Sequence, residues 1–162
     1  MYAAAMGNTI TAVFLWCKMK IFYKPFEIHS DTMETFKEEM HMKKETRTVV
    51  YDDELRIEAY RFEGIVQPFP NHFHEYYVIG FVEDGERCLS CKNREYTIGR
   101  NDIVLFNPGD NHACVQTDDR ALDYRGFNIT KETMLDLAGE VTGKRLLPGF
   151  SKTVISDEEI TC

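Results

Sequence analysis

From Thr46 onward the chain is written in short runs whose apolar residues recur at every second position, and each run ends in turn-forming residues. That period belongs to extended backbone, where successive side chains point to opposite faces. The predicted strands are Thr48–Tyr51, Leu55–Phe62, Tyr76–Val82, Arg87–Cys91, Glu95–Ile98, Asp102–Asn107, His112–Gln116 and Leu122–Ile129. Between them stand Asp52-Asp53, Glu83-Asp84-Gly85, Lys92-Asn93, Gly99-Arg100-Asn101, Pro108-Gly109 and Asp118-Asp119, the residue types that close tight turns. In the second run Leu55, Ile57 and Ala59 alternate against Arg56 and Glu58. Many short strands at this spacing predict a sandwich or a barrel, because closure removes the exposed edges of an open sheet.

The flanks of this region differ from it. Residues 1–44 hold an apolar stretch, Thr9–Trp16, then Lys18, Lys20 and Lys24 among aromatic residues. Ser30 next caps an expected short helix with Met33, Phe36 and Met40 on one face. The apolar stretch has no basic segment before it and no small-residue cleavage site after it, so it does not read as a secretion signal. No apolar run approaches the roughly 20 residues needed to span a bilayer. On the other side, Thr130 is the expected N-cap of a helix over Lys131–Ala138, with Gly139 as its stop. Ser156-Asp157-Glu158-Glu159 is a capping box with three residues behind it, which predicts a further helix beyond Cys162. The expected organisation is an N-terminal extension over 1–44, a β-barrel over 45–129 and a helical C-terminal segment over 130–162.

Charge follows the same division. Residues 1–44 carry 6 basic and 5 acidic side chains, and residues 45–162 carry 13 and 22, for +1 and −9. An acidic body repels a phosphate backbone, so direct nucleic-acid binding by the barrel is not expected. Five cysteines without a framework, Cys17, Cys88, Cys91, Cys114 and Cys162, read as thiols of a reducing compartment, which predicts a cytoplasmic protein. Cys88 and Cys91 have C-x-x-C spacing, but on one strand they fall on opposite faces and make neither a redox pair nor a metal pair.

Chemistry concentrates in Asn71–Gly80 and Asn107–His112. On extended backbone His72 and His74 share a face, and Tyr76 shares it with them while Tyr77 does not. His112 follows the Pro108-Gly109 turn, and a barrel can bring it beside the pair. Converging imidazoles serve either as metal ligands or as hydrogen-bonding partners of a ligand. Aromatic residues along the predicted strands favour a binding cavity over a catalytic centre. Tyr60 and Phe106 join His72, His74, Tyr76 and His112 as the expected ligand-binding set. Arg56 and Arg61 are candidates for orienting an anionic or sugar ligand, against the ordinary solvated role of strand arginines. No nucleophile–histidine pairing and no glycine-rich phosphate loop is present, so no catalytic residue and no cofactor is expected.

His72-Phe73-His74 with Tyr76-Tyr77 and Gly85 resembles the first cupin motif. Asn101-Asp102 with Ile103–Phe106, Pro108-Gly109 and His112 resembles the second. Together with Phe127-Asn128-Ile129 and Leu135, Leu137 of the following helix, residues 45–162 resemble the N-terminal sensor domain of AraC-type bacterial transcription regulators. The resemblance implies a mainly β fold, a cupin-type double-stranded β-barrel (jelly roll) with flanking short helices. It implies a small-molecule effector, a sugar or another metabolite, bound in the barrel of a homodimer. DNA would be met only through a C-terminal helix-turn-helix domain outside this chain. The alternative is a metal-dependent cupin enzyme, an isomerase or dioxygenase. Against it, the carboxylate that such enzymes carry a few residues past the second histidine is replaced here by Val78 and Ile79, so no metal is assigned and an all-histidine zinc or nickel site stays open.

Overall fold

The structure is a computed structural model that describes residues 44–156. Thr9–Trp16, the Ser30 helix and all of the capping box after Ser156 lie outside the described residues. The strands are β1 (Thr46–Asp52), β2 (Ile57–Ile65), β3 (Phe69–His72), β4 (Tyr77–Asp84), β5 (Arg87–Cys91), β6 (Arg94–Ile98), β7 (Ile103–Phe106), β8 (His112–Gln116), β9 (Leu122–Ile129) and β10 (Val154–Ile155). Helix α1 spans Lys131–Thr142. Two antiparallel sheets result, one in the order β1-β2-β9-β4-β7-β10 and one in the order β3-β8-β5-β6. The fold is mainly β, a double-stranded β-helix of the cupin type. Its interior core draws on both sheets: Tyr60, Ile65, Val78, Val82, Val104, Phe106 and Leu122 from the larger, Leu89, Cys91, Ile98 and Cys114 from the smaller.

The turns form for the reasons their residues supply. Asp52 Oδ1 accepts from Leu55 N (2.8 Å), Asp102 Oδ2 from Gly99 N (2.8 Å) and Asp110 Oδ2 from Asn107 N (2.9 Å), each carboxylate closing a loop on itself. Lys92 and Asn93 join β5 to β6 with φ of 53° and 59°, two successive left-handed residues that match the twist of a tight hairpin. Gly85 has φ of 84°, and a Cβ there would lie 2.4 Å from Ala121 O.

Glu58, Tyr60 and Phe62 of β2 line the interior. Ile57, Ile129 and Tyr77 lie side by side in register and are buried, as are Met134 and Ala138 of α1, apart from the interior cluster. Two expectations are corrected. Helix α1 passes Gly139 and ends at Gly143, whose φ of 72° and N–H to Gly139 O (2.9 Å) form the left-handed cap. Residues 144–156 are not helical; they return to the sheet, where Leu105 N donates to Thr153 O (2.8 Å) and β10 pairs with β7. Cys91 is buried and Cys88 half-buried on opposite faces of β5, both free thiols, as alternation requires. Among the described residues no helix is long and apolar enough to cross a membrane.

Candidate functional site

Between the sheets lies a cavity of about 200 Å³ with an apolar floor that includes Val78, Leu89, Ile98, Val104 and Leu122. Its polar wall is built by the chain reversal between β3 and β4. His72 closes β3 and stands directly across from His112 at the start of β8. Pro68 and Pro70 limit β3 to four residues, because proline supplies no N–H to a ladder. The chain then leaves the strand, so His74 and Tyr76 lie in the connection rather than on a strand. Gly109 N holds this connection by donating to His74 O (2.8 Å). The Pro108-Gly109 turn therefore delivers His112 and anchors His74 at once.

The three imidazoles converge. Ring centroids are 4.3 Å apart for His72 and His112, 4.8 Å for His72 and His74, and 5.2 Å for His74 and His112. One nitrogen from each lies within 4.8 Å of the others. Tyr76 stacks on His74 (4.8 Å) and Phe106 on His112 (3.8 Å, 10° between planes). His72 Nδ1 lies 2.6 Å from Pro70 O, and His112 Nδ1 2.9 Å from Asp110 O. A carbonyl only accepts, so each Nδ1 carries a proton, which makes Nε2 the lone-pair nitrogen in the neutral form of either ring. Burial, reinforced by the neighbouring His112 and His72, lowers the His74 pKa to about 4. Burial also holds His112 below the usual imidazole range, partly offset by its bond to Asp110.

The larger sheet supplies the opposite wall. Tyr60 donates to Tyr124 Oη (3.0 Å) with rings 5.5 Å apart, and burial pushes both phenols above their ordinary range. Two glycines make room for the rings. Gly80 and Gly126 face each other across β4 and β9. A Cβ on Gly80 would fall 1.9 Å from Tyr124 Oη, and one on Gly126 2.4 Å from Tyr60 Oη and 2.5 Å from Ile79 O. Beside the tyrosines, Asn128 Nδ2 donates to Glu58 Oε1 (2.5 Å).

All six sequence-derived ligand-binding candidates, His72, His74, Tyr76, His112, Tyr60 and Phe106, line this one cavity. Arg56 and Arg61 do not: Arg56 pairs with Asp136 and Glu132, and Arg61 with Glu63 and Glu83. Sequence reasoning missed Glu58, Phe62, Phe69, Tyr124 and Asn128, which share the lining. The signal for two of them was present, since Glu58 and Phe62 stand two residues either side of Tyr60 and share its face.

The chain matches the family model described as AraC-like ligand binding domain over residues 54–161. It is 52% identical over 120 residues to YbfI of Bacillus subtilis (strain 168), an uncharacterized HTH-type transcriptional regulator, covering 74% of this chain and 44% of that protein. The chain thus spans less than half the length of this relative. Among solved structures it is similar to a cupin superfamily protein from Desulfitobacterium hafniense (9% identity, TM-score 0.47, 57% of this chain and 83% of that one). It is also similar to an RmlC-like cupin with a double-stranded β-helix fold from Methanocaldococcus jannaschii (14%, 0.46, 62% and 91%). With the family model covering most of the barrel and the helix behind it, the chain belongs to the AraC-like ligand-binding domain family.

Proposed function

We propose that this barrel is the effector-sensing part of a cytoplasmic transcription regulator and binds a small polar metabolite, sugars included, in the cavity between its sheets. One observation carries the reading: hydrogen-bonding groups from β2, β8, β9 and the β3–β4 connection converge on an apolar-floored cavity, the make-up of a small-molecule site. His72, His74, Tyr76 and His112 orient the ligand on one wall; Tyr60 and Phe106 contact it from the others. Regulation follows by linkage. A ligand that binds one arrangement of a homodimer more tightly than another shifts the population, and through it the presentation of a helix-turn-helix module to DNA.

The test is a thermal-shift screen of small metabolites, run with and without chelator. A true ligand at a hundred times its Kd adds about 2.7 kcal/mol, or a melting shift of roughly 10 °C. The shift is expected to persist in chelator and to fall away in His74→Ala. A screen in which no compound raises the melting temperature counts against the reading.

A second reading, the metal-dependent enzyme, draws on the histidine cluster. The donors fit an imidazole-preferring ion such as zinc or nickel, since His72 and His112 present Nε2 with Nδ1 held by a carbonyl, the usual outer-shell arrangement. No carboxylate joins the cluster among the described residues. A bound ion would polarise a water or a substrate oxygen, and the histidines would hold and orient it. Stoichiometric metal in the purified protein, with an activity lost on chelation, would establish this reading in place of the first.

A further inference from the structure

Among the described residues, the cavity lining contains no lysine and no arginine. Its single carboxylate is Glu58 on β2, and the surrounding domain carries 13 basic against 22 acidic side chains over residues 45–162. An anionic ligand would enter a negative field and find no cation to meet it. Several donors of the wall are already engaged. Asn128 Nδ2 donates to Glu58, Tyr60 donates to Tyr124, and the Nδ1 protons of His72 and His112 go to backbone carbonyls. These groups leave the second Glu58 oxygen to accept, and the Nε2 atoms of His72 and His112 in their neutral forms, beside the second N–H of Asn128 and the O–H of Tyr124.

The remaining lining is aromatic. Phe69, Tyr76 and Phe106 stand with Tyr60 and Tyr124 around the same space. Ring faces carry partial negative charge and attract cations, most strongly where water is excluded. Phe62 already does so within this protein, with the Arg47 guanidinium 5.4 Å from its ring centroid. A cavity of about 200 Å³ is many times the roughly 10–15 Å³ that admits one water and has room for a small organic molecule.

We propose that the ligand of this cavity is a small organic cation, an amine or quaternary ammonium compound, held against Glu58 and the aromatic wall. The proposal rests on the reading of the cavity as the ligand site and adds the chemical class. Glu58 provides the counter-charge, fixed by Asn128; the rings provide the cage; the histidine Nε2 atoms accept from any N–H or hydroxyl the ligand carries.

Calorimetric titration of the full chain in chelator tests it with three probes of similar size: choline, its neutral carbon isostere dimethylbutanol, and the anion pivalate. Choline is expected to bind roughly tenfold tighter than dimethylbutanol, with pivalate weakest. In Glu58→Gln, which keeps an oxygen for Asn128, choline is expected to lose most of that advantage while dimethylbutanol is unchanged. Tyr76→Leu, on the β3–β4 connection, removes one ring of the cage and gives an independent check should Glu58→Gln fail to fold. Binding of dimethylbutanol as tight as choline, or a choline affinity indifferent to both variants, overturns the cation class while leaving the cavity a ligand site. Absence of choline binding also overturns it, and the metabolite screen then decides separately whether the cavity binds anything.

Discussion

Replacing Gly80 by alanine tests whether the tyrosine wall of the cavity is built on the paired glycines. The added Cβ would sit 1.9 Å from Tyr124 Oη and 2.3 Å and 2.5 Å from two ring carbons, where contacts near 3.5 Å are the closest comfortable approach. Relief requires the Tyr124 ring to move by more than 1 Å. The ring is hemmed in by Tyr60, 5.5 Å away and hydrogen-bonded to it, and Tyr60 in turn abuts Gly126. Overpacking of a filled interior costs about 1–3 kcal/mol, and the stiffer unfolded chain of the alanine variant returns about 0.4–1 kcal/mol. The net expectation is a loss of about 1–2 kcal/mol. Urea unfolding followed by far-UV circular dichroism reads it as a lower midpoint at unchanged slope; with slopes of about 1–3 kcal/mol per molar, the midpoint falls by roughly 1 M. The decisive comparison is the same substitution in a Tyr124→Leu background, where the ring is gone and most of the penalty should vanish. An equal loss in both backgrounds would show that the cost does not come from the tyrosine, and the account of this wall would fail.

Three further outcomes are expected. His74 has a folded pKa of about 4 against 6.5 unfolded, so between these values the unfolded chain binds the extra proton and stability rises with pH, complete above 6.5 and lost toward 4. For this half-buried, partly screened ring the effect is about 1–2 kcal/mol; urea midpoints at pH 4.5 and 7 should differ less in His74→Asn than in the parent, and an unchanged difference rules the histidine out. Arg87 is fully buried, donating to Ile65 O, Arg120 O and Glu86 O. Arg87→Ala leaves carbonyls unpaired and a void, at about 3–5 kcal/mol, whereas Arg87→Met fills the space and should cost distinctly less; equal melting temperatures for the two would contradict this. Thr130→Ala removes the oxygen that accepts from Thr133 N (3.1 Å) and should cost about 1 kcal/mol, read as a melting-temperature drop of a few degrees.

How far the fold was legible depended on whether one residue's chemistry settled the local choice. β5, β8 and β9 form with the bounds that alternation and turn residues predict, because each is bracketed by residues with a single comfortable backbone role. β3 and β10 were invisible for the opposite reason. Phe69–His72 contains a proline and Val154–Ile155 is two residues long, so neither has a period to read; both exist because a neighbouring strand offers free hydrogen-bonding groups. The six ligand-site candidates nevertheless converge, and for a different reason from the one given in advance. His74 and Tyr76 face the cavity from a connection held by Gly109 N, not from a strand, so the spacing of two survived where the secondary structure did not. Glu58 itself was within reach of spacing, two residues before Tyr60 and on the same face, although beside Arg56 and Arg61 it reads as one more surface charge. Its partner was not within reach: Asn128 meets Glu58 across β2 and β9, seventy positions along the chain. What holds the carboxylate of a binding site is thus a property of which strands become neighbours, and that separation is one that sequence patterning does not cross.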